Sequence, residues 1–194
     1  MVNREMTPAP APAVAVEATP SAPRPRATFA FMLGHPARLV ALGFGSGLAP
    51  KAPGTFGTLA AWAAFVVLDR WLDSVGWAIV IALALVLGVF ACTRCARDLG
   101  VADPSAIVWD EVVAFWLVLW LLMPASWGWQ LAAFGLFRFF DAAKPGPVAW
   151  ADGLFKRTRG EAIGWRQGFG ILFDDLVAAL CTLVVLALGR WCVG

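Results

Sequence analysis

Residues 112–137 form a run without a single charged side chain, and the two residues just before it are carboxylates, Asp110 and Glu111. An uncharged run of this length can cross the hydrocarbon core of a bilayer, which takes about 20 residues. Where such a run meets lipid its backbone must satisfy its own hydrogen bonds, and the run is read as helix. Acids beside a membrane-type segment are costly and are kept where they bind something. Two more acidic sites, Asp141 and Asp174-Asp175, also stand at the edges of apolar stretches. The pattern points to a metal-dependent site at a membrane surface.

Composition agrees. Hydrophobic residues make up 60% of the chain and charged residues only 14%, against about 25% charged in soluble domains. Eleven Trp and fourteen Phe, with no Tyr, suit a protein that meets lipid. The reading is an all-α, polytopic helical membrane protein; a very apolar soluble helical bundle is the competing reading. A net charge of +2 is too small to imply a nucleic-acid partner. The Ala/Pro-rich stretch at 1–28 lacks the apolar core of a secretory signal. It cannot bury enough surface to fold, so it is read as a disordered tail before a membrane domain at 29–194.

Five apolar segments are expected: 55–68, 75–93, two arms at about 111–123 and 127–140, and 176–188. The two arms form a hairpin, because Pro124 and Gly128 break the long run. A short interfacial helix over 29–42, interrupted at Gly34-His35-Pro36, precedes them. Alternating the direction at each break brings the 43–58 loop, Asp103, Asp110, Glu111, Arg138, Asp141, Lys144, Asp174 and Asp175 to one face. Most Lys and Arg lie on that same side, which marks it as cytoplasmic.

Each acidic motif has a chemical and a structural reading. Asp110 and Glu111 can ligate a hard divalent cation such as Mg²⁺, which takes carboxylates together with phosphate oxygens; they can also simply favour a helix N-terminus. Arg138, Asp141 and Lys144 recur at i, i+3 steps and share a helix face. Asp141 can hold metal while the two cations neutralise a phosphate, or the three can be a helix-end ion pair. Asp174 and Asp175 are expected to open the last apolar segment, either as caps or with one carboxylate turned into the site. The sequence PGTFGT at 53–58 feeds a helix start whose N–H groups suit a phosphate, although it lacks the G-K-[ST] ending of a P-loop.

Absences narrow the chemistry. The single histidine, His35, is read as a loop or interfacial residue. The C-x-x-C at Cys92 and Cys95 has no second pair and no nearby His to complete a zinc site, and helical spacing explains it. Neither a cysteine-phosphatase loop nor an aspartyl-phosphatase signature is present. What remains is a carboxylate–metal site that activates water at a phosphoryl group.

Taken together, GFGSGLAP (43–50), PGTFGT (53–58), IVWDE (107–111), FRFFD (137–141), KPGP (144–147) and the pair Asp174-Asp175 resemble, in order, the motifs of the phosphatidylglycerophosphatase A family. The resemblance covers about residues 39–179. It implies a Mg²⁺-dependent enzyme of the bacterial inner membrane, with its active site facing the cytoplasm, that converts phosphatidylglycerophosphate to phosphatidylglycerol. On that basis Asp110, Glu111, Asp141, Asp174 and Asp175 are the expected metal ligands. Catalysis is expected from Asp110, Glu111, Asp141, Lys144 and Asp175, and substrate binding from Ser46, Gly54, Thr55, Arg138 and Lys144. The stretch 149–173, with basic residues from Lys156 to Arg166 and with Trp165, is longer than the family pattern and can add contacts to a lipid headgroup. The rival classes are a small transporter or channel using membrane-edge carboxylates, which predicts acids spread through the bilayer depth, and a non-catalytic membrane scaffold.

Overall fold

A computed structural model describes residues 25–155 and 162–193. Most of the Ala/Pro-rich tail, together with Lys156, Arg157 and Arg159 of the basic stretch, lies outside them. Among the described residues the chain is all-α. Two short helices, α1 (Phe29–Leu33) and α2 (Pro36–Ala41), lead into a 3₁₀ segment, Gly43–Leu48. There follow α3 (Pro53–Leu68), α4 (Ser74–Leu99), α5 (Trp109–Leu122), α6 (Trp127–Ala143), α7 (Pro147–Leu154) and α8 (Trp165–Val193).

The expected break at Gly34-His35-Pro36 is present. His35 caps α2, its Nδ1 accepting the Ala37 N–H at 3.1 Å. The expected hairpin is also present, as α5 and α6. The expectation of five apolar helices of membrane type needs correction. Two described helices, Ser74–Leu99 and Trp165–Cys192, are long and apolar enough to cross a membrane. Helix α3 is apolar but shorter, and the 14-residue α5 rises only about 21 Å, short of the ~30 Å hydrocarbon core. The Pro124 break that makes the hairpin also leaves its arms short.

Both long helices run further than the apolar pattern suggests. Helix α4 continues through Arg94 and Arg97 to a left-handed Gly100, which closes it in the manner glycine favours. Helix α8 begins at Trp165, so Asp174 and Asp175 lie inside it and cap nothing. Its start is held where Gln167 Oε1 accepts the Gly164 N–H at 2.7 Å, the return half of a capping box.

Helix α5 is the buried centre, with Val113, Ala114, Phe115, Val118 and Leu119 almost fully enclosed. Helices α3, α4, α6 and α8 pack around it. Indole groups tie the layers without stranding donors: Trp116 Nε1 donates to the Ala61 carbonyl at 2.9 Å and Trp109 Nε1 to the Ala84 carbonyl at 3.0 Å. At the far end, Arg190 of α8 donates to the carbonyls of Leu122 and Pro124, groups that a helix end leaves without an internal partner. Ile79, Leu83, Val86, Leu87 and Phe90 form an exposed apolar stripe on α4. Apolar surface of that extent is unusual on a soluble monomer and is consistent with membrane association.

Helix α8 crosses α4 closely at Gly168, where an added Cβ would run into Thr93 Oγ1 and come within 2.7 Å of the Val89 carbonyl oxygen. Gly168→Ala should therefore destabilise the fold by about 1–3 kcal/mol, the usual range for overpacking. Gly135→Ala, with nothing within 4 Å of the new methyl, should be neutral or stabilise α6 by about 0.5–1 kcal/mol. Thermal unfolding in one detergent would show both.

Candidate metal centre

The starts of α3 and α5, the end of α6, the middle of α8 and the 103–107 loop enclose a cavity of about 240 Å³. Six carboxylates line it, from Asp103, Asp110, Glu111, Asp141, Asp174 and Asp175, against two cations, Arg138 and Lys144. The acidic motifs that alternating chain direction places on one face are thus brought together.

Helix α5 presents Asp110 and Glu111 in its first turn, while α8 brings up Asp175 from its interior. One oxygen from each of these three lies within 4.8 Å of the other two, close to the ~4 Å separating opposite ligand oxygens around one small divalent ion. Asp110 Oδ1, Glu111 Oε2, Asp174 Oδ1 and Asp175 Oδ2 are buried with no hydrogen-bond partner. Buried carboxylate oxygens without donors are strongly unfavourable, and a hard cation is the partner that such a donor set fits.

The two cations are each shared between acids. Arg138 Nη1 lies 2.5 Å from Asp141 Oδ2 and 3.7 Å from Glu111 Oε1. It also donates to Thr58 Oγ1 at 3.4 Å, and the Thr58 hydroxyl in turn donates to the Gly54 carbonyl at 2.8 Å. This fixes the guanidinium to the first turn of α3. Gly54 is required there, since a Cβ would collide with Glu111 Oε1 and sit 3.1 Å from the guanidinium.

Lys144 does not continue the α6 face toward Asp141. It terminates the helix in the left-handed region at φ 45°, and its ammonium bonds Asp174 and, at 2.9 Å, Asp152 of α7. Burial opposes its charge, but the bonds to Asp174 and Asp152 outweigh that and hold its pKa above the ordinary lysine value.

Of the residues expected to bind phosphate, Gly54, Arg138 and Lys144 line the cavity. Ser46 and Thr55 are not among its lining residues. The Ser46 hydroxyl donates to the Gly43 carbonyl at 2.8 Å, and the Thr55 N–H donates to the Ala52 carbonyl at 2.9 Å. Sequence reasoning assigned no role to Asp103, Ser105 or Asp152. Alternating direction puts Asp103 on the correct side, but nothing in the spacing links Asp152 to Lys144, because that link is made by a turn of the chain.

The comparisons with known proteins fit this site. The sequence profile of phosphatidylglycerophosphatase A matches residues 39–190. The chain belongs to the phosphatidylglycerophosphatase A family. It is 42% identical over 158 residues to phosphatidylglycerophosphatase A of Haemophilus influenzae, covering 81% of this chain and 91% of the relative. It is 38% identical over 154 residues to the Escherichia coli protein of that name, covering 79% and 83%. A Bacteroides thetaiotaomicron protein provisionally named phosphatidylinositol-3-phosphatase is 35% identical over 162 residues, covering 80% and 94%. No solved structure matches the chain. Membership places the cavity in a phosphatase-type enzyme family, with a phospholipid as the implied substrate class.

Removing Arg138 would leave the buried Glu111 and the partly buried Asp141 without their countercharge. In EDTA, Arg138→Met should cost about 3–5 kcal/mol of stability, as for other broken buried pairs. Adding Asp141→Asn to it should recover part of that loss. Denaturation of the three proteins side by side would measure both effects.

Proposed function

We propose that this chain is a Mg²⁺-dependent lipid phosphatase of the bacterial inner membrane that hydrolyses phosphatidylglycerophosphate to phosphatidylglycerol and phosphate. The observation that carries the reading is the convergence of partnerless buried carboxylate oxygens and two cations in one cavity. The names of two relatives supply the substrate. Asp110, Glu111 and Asp175 would hold the ion, with Asp141 and Asp174 beside them. When bound, Mg²⁺ supplies Lewis-acid polarisation of the phosphoryl oxygens.

Arg138 and Lys144 attract the phosphate dianion, the first as a planar fork of donors and the second as a compact charge. Gly54 lines the cavity in the first turn of α3, where exposed N–H groups favour an anion. Water attacks phosphorus, the phosphorus–oxygen bond to the glycerol breaks, and a cavity carboxylate takes the water's proton. That proton balances the leaving glycerol oxygen, which departs as the hydroxyl of phosphatidylglycerol. The membrane-length helices α4 and α8 suit a substrate whose acyl chains stay in the bilayer. The concentration of Lys and Arg toward the site's end of the sequence segments supports a cytoplasmic orientation.

A transporter would spread its acids through the bilayer depth, whereas these cluster in one cavity. A scaffold would tolerate acid-to-amide changes. Phosphate release by the purified chain should vanish in EDTA and return with Mg²⁺. It should favour phosphatidylglycerophosphate over phosphatidylinositol 3-phosphate. Asp110→Ala, Glu111→Ala and Asp141→Ala should each lower kcat by about a hundredfold or more, the scale of a lost catalytic carboxylate. Unchanged rates in all three variants would sink the site assignment.

A further inference from the structure

Helix α7 is polar on the inside and apolar on the outside. Trp150 and Leu154 are 62% and 44% exposed, while the helix's single charged side chain, Asp152, is only 17% exposed. Val148 and Ala151 are fully buried and hold the helix against the bundle, where it packs on α8. An acid kept only for solubility belongs on the outward face. This one turns inward to Lys144, its Oδ1 accepting from the ammonium at 2.9 Å.

Lys144 needs such a partner more than Arg138 does. The guanidinium is a rigid planar fork, whereas an ammonium turns on a flexible stem. It carries three N–H donors. Asp174 on α8 accepts one of them and Asp152 on α7 another. Two contacts from two helices fix a tetrahedral head, and with it the direction of the third donor. With Asp174 alone the head would still turn about a single bond. Lys144 lines the polar cavity and Asp152 does not, so Asp152 acts on that cavity through the lysine. Resting on the phosphatase reading above, we propose that Asp152 is a positioning residue, which holds the Lys144 ammonium so that its remaining N–H is presented to the substrate's phosphate. A bare negative charge at position 152 would do the opposite: its removal would ease repulsion and tighten phosphate binding. The two roles differ in sign.

The test uses the full chain in mixed micelles with Mg²⁺. It reads kcat and KM for phosphatidylglycerophosphate and the inhibition constant of inorganic phosphate. Asp152→Ala should raise KM and the phosphate inhibition constant by about tenfold to a hundredfold, the range for a hydrogen bond to a charged group. Its kcat should stay within about threefold of wild type, because the phosphate carries its charge before the reaction as well as during it. In a Lys144→Met background the same change should alter both constants by less than about threefold, since residues that act as a unit are not additive. Asp152→Asn keeps the size and an oxygen acceptor; melting like wild type, it should fall between wild type and Asp152→Ala. Tighter phosphate inhibition in either Asp152 variant would overturn the positioning role. Equal losses with and without Lys144 would also overturn it, and would leave the phosphatase standing. Absence of Mg²⁺-dependent release by the wild-type chain would overturn both readings together.

Discussion

Like charges crowded round one small cavity repel one another, and burial strips solvation from Glu111, Asp174 and Asp175; the fold around them depends on how that charge is balanced. Arg138 bridges Glu111 and Asp141; Lys144 bridges Asp152 and Asp174. Each cation joins different helices, so charge balance and helix packing are the same contacts. Among the described residues, the four buried carboxylate oxygens without donors show where negative charge collects. A bound divalent ion would complete the balance locally, which makes the ion part of the architecture as much as part of the chemistry.

Close backbone approach is the second condition. Gly54 lets α3 reach Glu111 and the guanidinium, and Gly57 lets the same helix meet Val108, whose Cβ would be 2.7 Å from an added methyl. The left-handed turn at Lys144 redirects its side chain from the face of α6 to the facing helices. A bulky residue in that region is uncommon and carries some strain. Here two ion pairs hold it in place.

Much of this was legible in the sequence, for identifiable reasons. The hairpin followed from Pro124 and Gly128, and the gathering of acids followed from alternating direction between breaks. The helical class followed from the uncharged run, and the family followed from six short motifs in order. The start of α8 was not legible. Gly168, Gly170 and the Asp pair resemble a loop and a helix cap, yet Gly168 is there because α4 passes too close for a side chain. The shortness of the two hairpin arms was legible from the Pro124 break, but whether they span or pack as short buried helices was not, since apolar composition does not distinguish the two. Asp152 escaped notice because its partner is set by a turn and not by a repeat.

Helix α8 carries carboxylates for the site at positions 174 and 175 and, near its other end, an arginine that holds the carbonyls closing α5. Helix α5 carries Asp110 and Glu111 at one end and the Leu122 carbonyl at the other, with Pro124 just beyond it. The two helices are therefore fastened directly at the arginine end and would be fastened at the acid end by an ion held between Asp110, Glu111 and Asp175, about 22 Å away along α8 at 1.5 Å per residue. Such a pair behaves as a ruler with two fixed marks. One residue inserted between the marks would turn one end by about 100° relative to the other, so the ends cannot adapt separately. With an ion bound, the distance from the acidic cavity to the far end of α5 would be set by the protein's own internal length, and lipid of a different thickness around α4 and α8 would have to adjust to it.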